Sequence, residues 1–365
     1  MPSTLITHPA LAHPALDDPA LDDPTPIVDD VTRRQLLIGG ASLAALLVGC
    51  GSSAPPAPPS RVTDGPTTIA HKYGSLQNPD RPQRVVTVRL VEQDALLALG
   101  VIPVAATGWF GEHPGTIFPW ARDELGCAAP PEVLSFPDGI QFERVAALRP
   151  DLVLAVSSEL TEQDYTRLSQ IAPTVAQPAD HIDYGVPWQE LPRMVGRAVG
   201  RGEQAEHLVV GVEARFAAVR AAHPELAGAI AVTASVDDGY FVLGPQDPRG
   251  RLLTDLGFTL PAAIGELTGE SYFAVLSREH VDLLDVDALV WIIDAPEQLV
   301  GIDADPLYNR LAVATPGRDI FVTGPGEVDA ALSFQTVLGL PVLLDALEPQ
   351  LAAVLDGDPA TAAQS

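Results

Sequence analysis

One helix-length stretch, residues 202–222, constrains this chain more than any other feature, because strand–helix alternation flanks it on both sides. Leu208, Val212, Phe216 and Val219 recur at steps of three and four, which places one apolar stripe along an α-helix. Pro224 and Gly228 close it. At 1.5 Å per residue, such a helix is roughly 30 Å long. A flexible linker lets two domains move freely, whereas a packed helix restricts them. The chain is therefore expected to carry two bodies on one stiff rod, with relative motion reduced to a small rocking.

The flanking segments say what the bodies are. Before the helix, strand-like runs at 84–88, 101–106, 151–156 and 174–176 alternate with helical runs at 92–100, 142–148 and 160–171. The 151–156 run is continuously apolar after Asp151, as a strand covered on both faces is. After the helix, strands are expected at 229–234, 239–243, 289–293 and 320–322, and helices at 251–257, 280–284 and 307–311. Trp291, inside an apolar strand, reads as core. Alternation of this kind implies a parallel sheet with helices on its faces. The fold class is α/β: two Rossmann-like lobes joined by one long connecting α-helix. The first lobe is expected at 67–201, the helix at 202–224, the second lobe at 225–357 and a disordered tail at 358–365.

Residues 1–66 belong to neither lobe. Thr32-Arg33-Arg34-Gln35-Leu36-Leu37 precedes an apolar run of about 13 residues that ends at Leu47-Val48-Gly49-Cys50. Roughly 20 residues are needed to span a bilayer, so the run is too short to cross one. A buried core helix also has this length, but the twin arginine before it and the small-residue box at its end favour a twin-arginine lipoprotein signal. On this reading residues 1–49 are removed, and Cys50 becomes a lipidated N-terminus. Acyl chains contribute about 0.8 kcal/mol per buried CH₂, so more than one chain anchors firmly. Residues 50–66 form a tether that includes Ala54-Pro55-Pro56-Ala57-Pro58-Pro59. A near-repeat built on His-Pro-Ala-Leu and Leu-Asp-Asp-Pro fills residues 8–24; its prolines deny it helix and central strand, and it is expected to be a disordered leader. The expected location is extracytoplasmic, on the outer face of the cytoplasmic membrane.

Charge excludes one class of partner. The whole chain carries −27, and removing the leader's six Asp and two Arg leaves about −23, with Lys72 the only lysine. Nucleic-acid binding needs clustered positive charge, and none is present. With Cys50 taken by lipid, Cys127 stands alone, so the mature chain has neither an internal disulfide nor a cysteine metal cluster.

Five segments carry a resemblance. They are Pro82-Gln83-Arg84-Val85-Val86 with Asp94-Ala95-Leu96-Leu97-Ala98-Leu99-Gly100; Leu148-Arg149-Pro150-Asp151-Leu152-Val153-Leu154 with Ile171-Ala172-Pro173-Thr174-Val175; Arg251-Leu252-Leu253-Thr254-Asp255-Leu256-Gly257; Ser277-Arg278-Glu279-His280; and Leu332-Ser333-Phe334 with a helix running to 355. In order and spacing the chain resembles the substrate-binding lipoproteins of iron–siderophore ABC importers. These have the class III periplasmic binding protein fold, and the group also includes cobalamin and haem binders. The resemblance implies a monomer with no cofactor and no catalytic residues. Its ligand would be a pre-formed ferric siderophore, and its partner an ABC permease. It also implies one docking glutamate per lobe, Glu159 or Glu162 in the first and Glu270 in the second.

Ligands of such folds lie beyond the carboxyl ends of parallel strands. The loops there hold Arg89, then Trp109 and Phe110 with His113 and Trp120, Ser157 and Ser158, and then His181, Tyr184 and Trp188. In the second lobe they hold Ser235, Asp237, Tyr240, Arg249 and the Ser271-Tyr272-Phe273 run. A siderophore already saturates its iron, so the protein need supply only donors and flat walls. Arginine gives a planar, permanently charged fork, and Trp and Tyr give surface with a polar tip. Arg89, Trp109 and Arg249 lead the expected ligand-binding set, followed by Phe110, Tyr184, Tyr240 and Tyr272. Acidity overall tilts the ligand toward a neutral or cationic hydroxamate complex.

Other readings remain open on residues alone. A haem or cobalamin binder would share the architecture. A zinc or manganese binder needs converging His and carboxylates, and only His113 and His181 fall in suitable loops. An enzyme would carry a nucleophile elbow, a phosphate loop or a His-Glu-x-x-His motif, and none occurs. Sensing rather than delivery would leave the same sequence.

Overall fold

The computed structural model describes residues 67–77, 81–108, 111, 113–135, 139–237, 239–314 and 318–356. The signal, Cys50, the tether, the tail and the ligand candidates Trp109 and Phe110 lie outside the described residues.

The first lobe opens with a small antiparallel hairpin of β1 (Thr68–His71) and β2 (Gly74–Gln77). Its main elements follow as β3 (Val85–Thr87), α1 (Glu92–Ala98), β4 (Ala105–Thr107), α2 (Arg122–Leu125), β5 (Glu132–Leu134), α3 (Phe142–Ala147), β6 (Leu152–Ala155), α4 (Glu162–Ser169), β7 (Thr174–Ala176) and α5 (Glu190–Ala198). The sheet order is β5-β4-β3-β6-β7 and every pair is parallel. The chain winds one way from β3 and the other way from β6, so the strand order reverses between those two strands. Adjacent residues serve opposite faces: Val85, Leu152 and Leu154 enter one core cluster, and Val86, Val153 and Ala155 the other. That two-sided burial is the reason these strands read as unbroken apolar runs.

The connecting helix α6 spans Gly202–Ala222, as its stripe predicts. The second lobe comprises β8 (Ala231–Asp237), β9 (Gly239–Leu243), α7 (Pro248–Asp255), α8 (Ala262–Thr268), β10 (Phe273–Leu276), β11 (Ala288–Ile293), α9 (Pro296–Ala304), β12 (Asp319–Thr323), α10 (Glu327–Phe334) and α11 (Gly339–Asp356). Its order is β10-β9-β8-β11-β12. Here the sheet is mixed rather than wholly parallel: β8, β11 and β12 run together, while β9 is antiparallel to β8 and β10. One residue separates β8 from β9, far too few for the crossover a parallel pair needs. The helix expected to run from Leu332 to 355 is broken. Gln335 adopts the left-handed conformation (φ 45°), and α10 and α11 meet at 113°.

The lobes share their interiors. On α6, Ala205 belongs to the first lobe's core; Val209, Val212, Phe216 and Val219 belong to the second's; Leu208 packs against both. At the crossing with α5, a Cβ on Gly196 would sit 2.4 Å from that of Ala205, so the close approach requires glycine. Trp188, from the first lobe, inserts into the second lobe's core and stacks on Phe216 at 5.7 Å, its indole N–H donating to Asp255 (3.2 Å). Phe334 packs in return against the first lobe's core.

Phe216 therefore serves α6 and the interlobe contact at once. Phe216→Ala is expected to cost about 3–5 kcal/mol, as a buried aromatic truncation does, and to lower the urea midpoint. Unfolding followed by tryptophan fluorescence and by far-UV dichroism checks it, and coincident transitions are expected because the two cores share one helix.

Candidate functional site

The reversal of strand order in the first sheet leaves a crevice beyond the carboxyl ends of β3 and β6, the candidate site. After β3 the chain passes Arg89 and turns through Val91, which has φ 68°. A β-branched residue in that region costs of order 1–3 kcal/mol and persists only where packing holds it. Val91 is held by burial in the first lobe's core. The turn delivers Glu92 and Asp94 to the first turn of α1, both completely buried.

Glu92 sits at the reversal point itself. Its Oε1 accepts the N–H of Ser157, the second residue after β6, at 2.8 Å, and its Oε2 is buried with no partner. Burial pushes this carboxyl up to about 7, although the Ser157 N–H and the Arg89 guanidinium both favour its charged form. Arg89 is half-buried, and its Nε has no hydrogen-bond partner. Burial raises the Tyr184 phenol; the same guanidinium opposes that and the exposed Glu159 adds to it. Tyr184 also occupies left-handed backbone (φ 59°), with its N–H on the Ser158 carbonyl (3.3 Å).

The second lobe faces this group with Tyr272 and Arg249. Tyr272 is half-buried; burial raises its phenol, Arg249 opposes that, and Asp247 and Glu159 add to it. Glu159 thus acts on a tyrosine from each lobe, Tyr184 and Tyr272. Arg249 is buried and held by Asp247: its Nε and Nη2 reach the two carboxylate oxygens at 2.9 and 2.8 Å, and the same carboxylate caps α7 through the Arg249 N–H. The N-terminus of α7 packs so tightly that a Cβ on Gly250 would lie 2.3 Å from the Gly244 carbonyl oxygen. Asp329, in the first turn of α10, is pushed up to about 6, first by burial and then by Asp294, with Arg249 opposing.

Two further contacts tie the lobes together. Arg251 donates to the carbonyl of Gly185 across the gap (2.8 Å). Asp94 Oδ2 accepts both the Trp120 indole N–H and the Thr336 hydroxyl at 2.6 Å, while Oδ1 is buried without a partner. Thr336 lies just past the Gln335 break and accepts the Gly339 N–H that starts α11 (2.9 Å), so the break serves this contact. Burial raises Asp94 to about 6 against its two donors.

Tyr240 does not join the site. It is 7% exposed in the second lobe's core against Trp291 and Tyr308, with its hydroxyl on Asp305 (3.0 Å). Burial removes it from the ligand face where its loop position had put it. Glu162 and Glu270 are exposed, one on each lobe. Among the described residues no group of three or more His, Cys, Asp and Glu side chains could hold a metal ion. An open groove of about 520 Å³ lies elsewhere, beside α6 and against Trp188, Phe216 and Arg220; it contains none of the interlobe cluster, whose chemistry is the better guide to the site. Sequence reasoning missed Glu92, Asp94, Asp247, Asp294 and Asp329, since carboxylates near helix starts and after strands usually face solvent.

Two lobes clasping a shared polar face across one rigid helix define a solute-binding protein. The chain belongs to the periplasmic binding protein family, whose model matches residues 94–324. A periplasmic solute binding protein from Mycobacterium smegmatis is 35% identical and superposes with a TM-score of 0.71, over 80% of this chain and 99% of that one. PiaA from Streptococcus pneumoniae, solved with ferrichrome, has a TM-score of 0.69 at 23% identity, over 79% of this chain and 98% of that one. The probable siderophore-binding lipoprotein YfiY of Bacillus subtilis is 24% identical over 260 residues, covering 68% of this chain and 76% of YfiY.

Asp94 gives a pH test. Its folded pKa lies above its usual 3.8, so protonation favours the folded state. That contribution is complete below about pH 4 and is lost as pH rises through about 6. Asp94→Asn should therefore gain on the wild type across this interval and stay ahead above it, by up to about 3 kcal/mol. Urea unfolding at pH 4 and pH 8 measures the difference.

Proposed function

We propose that the chain captures a ferric siderophore and delivers it to an ABC permease, with hydroxamate complexes favoured. The observation that carries this reading is membership of the binding-protein family, in a chain that offers half-buried Arg89 and Tyr184 on one lobe and half-buried Tyr272 on the other. Guanidinium and phenol donors suit the oxygen shell of a chelate whose iron is already saturated. Arg249 contributes differently: bonded to Asp247, it brings little net charge. Together with Glu159, Asp294 and Asp329, this leaves the site poor in positive charge, which suits a neutral or cationic complex better than a tris-catecholate. The ferrichrome bound to PiaA and the name of YfiY support the same substrate class.

Delivery requires an anchor and a docking face. Cys50 is the proposed lipidation site, with the outer face of the cytoplasmic membrane as the proposed location. Glu162 and Glu270, exposed on separate lobes, are the proposed permease contacts. Glu159, also exposed, is the alternative contact on the first lobe.

Tryptophan quenching by a panel of ferrichrome, a ferric tris-catecholate, ferric dicitrate, haem and cobalamin tests the ligand class. Saturable quenching by ferrichrome is expected, weakened about 10- to 100-fold by Arg89→Ala, the range for a lost hydrogen bond to a charged group. Quenching by haem or cobalamin alone displaces the siderophore reading. For the anchor, Cys50→Ser should move the protein from the detergent phase to the aqueous phase in a Triton X-114 partition of expressing cells.

A further inference from the structure

Arg89 is backed by a carboxyl that no ligand can reach. Glu92 is fully buried, has one oxygen on the Ser157 N–H, and keeps the other, Oε2, without a partner. The guanidinium ahead of it is half-buried and has an unpartnered Nε. These two orphaned atoms belong to groups that already act on each other. On its outer side Arg89 acts on Tyr184, and Tyr184 meets Glu159. Arg89 is therefore the middle member of a line running from the buried reversal point of the sheet to the interlobe face.

We propose that Glu92 is a positioning residue for Arg89: its proton decides whether the ligand meets a bare guanidinium or one half of an ion pair. With Glu92 ionised, the pair is neutral and the guanidinium is drawn inward toward Oε2. With Glu92 protonated, the carboxyl exerts no pull, and Arg89 presents its full charge and its donors to oxygens between the lobes. An anionic or oxygen-rich ligand on Arg89 then binds the protonated form more tightly, and by linkage it raises the affinity of Glu92 for its proton. The burial that lifts Glu92 to about 7 places this exchange in the physiological range.

The other charged groups around Glu92 are engaged elsewhere. Of the helices packed against α1, α5 carries Glu190, Arg193 and Arg197, and α2 carries Arg122, Asp123 and Glu124. Arg193 is paired with Glu206 and Arg197 with Glu190, and the α2 charges are exposed. Asp94, on the same helix as Glu92, is turned to Trp120 and Thr336. Glu159, two residues past Ser157, is exposed. Arg89 is the charge that acts on Glu92 most.

This inference rests on the proposed ligand site, so the test has one arm without ligand. In the ligand-free full-length chain, the Arg89 Nε–Hε resonance, assigned by its loss in Arg89→Lys, should titrate with a midpoint near 7. It should stay still in Glu92→Gln, which keeps the bond to Ser157. In the second arm, ferrichrome affinity followed by quenching should rise about tenfold from pH 8.5 to 5.5 in the wild type, corresponding to a one-unit rise of the Glu92 pKa on binding. In Glu92→Gln it should be flat, at the acid-limit value. An Arg89 resonance that does not titrate, one that titrates equally in Glu92→Gln, or pH-independent ferrichrome binding in the wild type overturns the inference. Absence of ferrichrome binding at every pH counts against the proposed ligand, and the resonance then decides the Glu92–Arg89 coupling alone.

Discussion

One apolar stripe, shared between two cores, organises this molecule. From Ala205 through Leu208 to Val219, α6 changes its allegiance from the first lobe to the second without a break in the helix. Neither lobe can move far without exposing part of that stripe, at roughly 25 cal/mol per Å² of apolar surface. Trp188 and Phe334 reinforce the arrangement by crossing in opposite directions. The frame is stiff, so whatever binds between the lobes meets groups that are already in place, and the ordering cost of binding is correspondingly small.

Within that frame, buried carboxylates govern the polar face. The protein is strongly acidic, yet the acids that matter are those the fold has taken out of water. Asp247 holds Arg249 in a two-point fork and cancels its charge. Glu92 stands behind Arg89 without closing a hydrogen bond to it, so its influence varies with its proton. Asp94 does the analogous work in the frame, fastening Trp120 and Thr336 across the lobes. Glu92 and Asp94 are each held by one or two donors and retain some freedom to be neutral, because burial costs the charged form more than those donors return.

Much of this was legible before any coordinates. The stripe at three- and four-residue steps marked α6 as one helix, since a helix buried along one side must repeat at that period. The strands at the sheet centres, such as β6 and β11, were legible as apolar runs covered on both faces. Less was visible where contacts from afar decide. Gly339 and Pro341 lie just past the break, but the partner it serves is distant: Thr336 bonds Asp94, 242 positions earlier. The reversed direction of β9 follows from the one-residue connection, which a pattern of alternating runs passes over.

The sequence by itself determined two α/β lobes, the rod between them and the kind of side chain available for binding, because periodicity and apolar content act on neighbouring residues. Only the tertiary structure decided which of those side chains meet. It left Arg89, Tyr184 and Tyr272 half-buried, withdrew Tyr240 into a core, paired Arg249 with Asp247, and sealed Glu92 away from water. Burial and partner are properties of the packed chain. A glutamate at the start of a helix reads the same in sequence whether it faces solvent or the interior, and only the interior changes its chemistry.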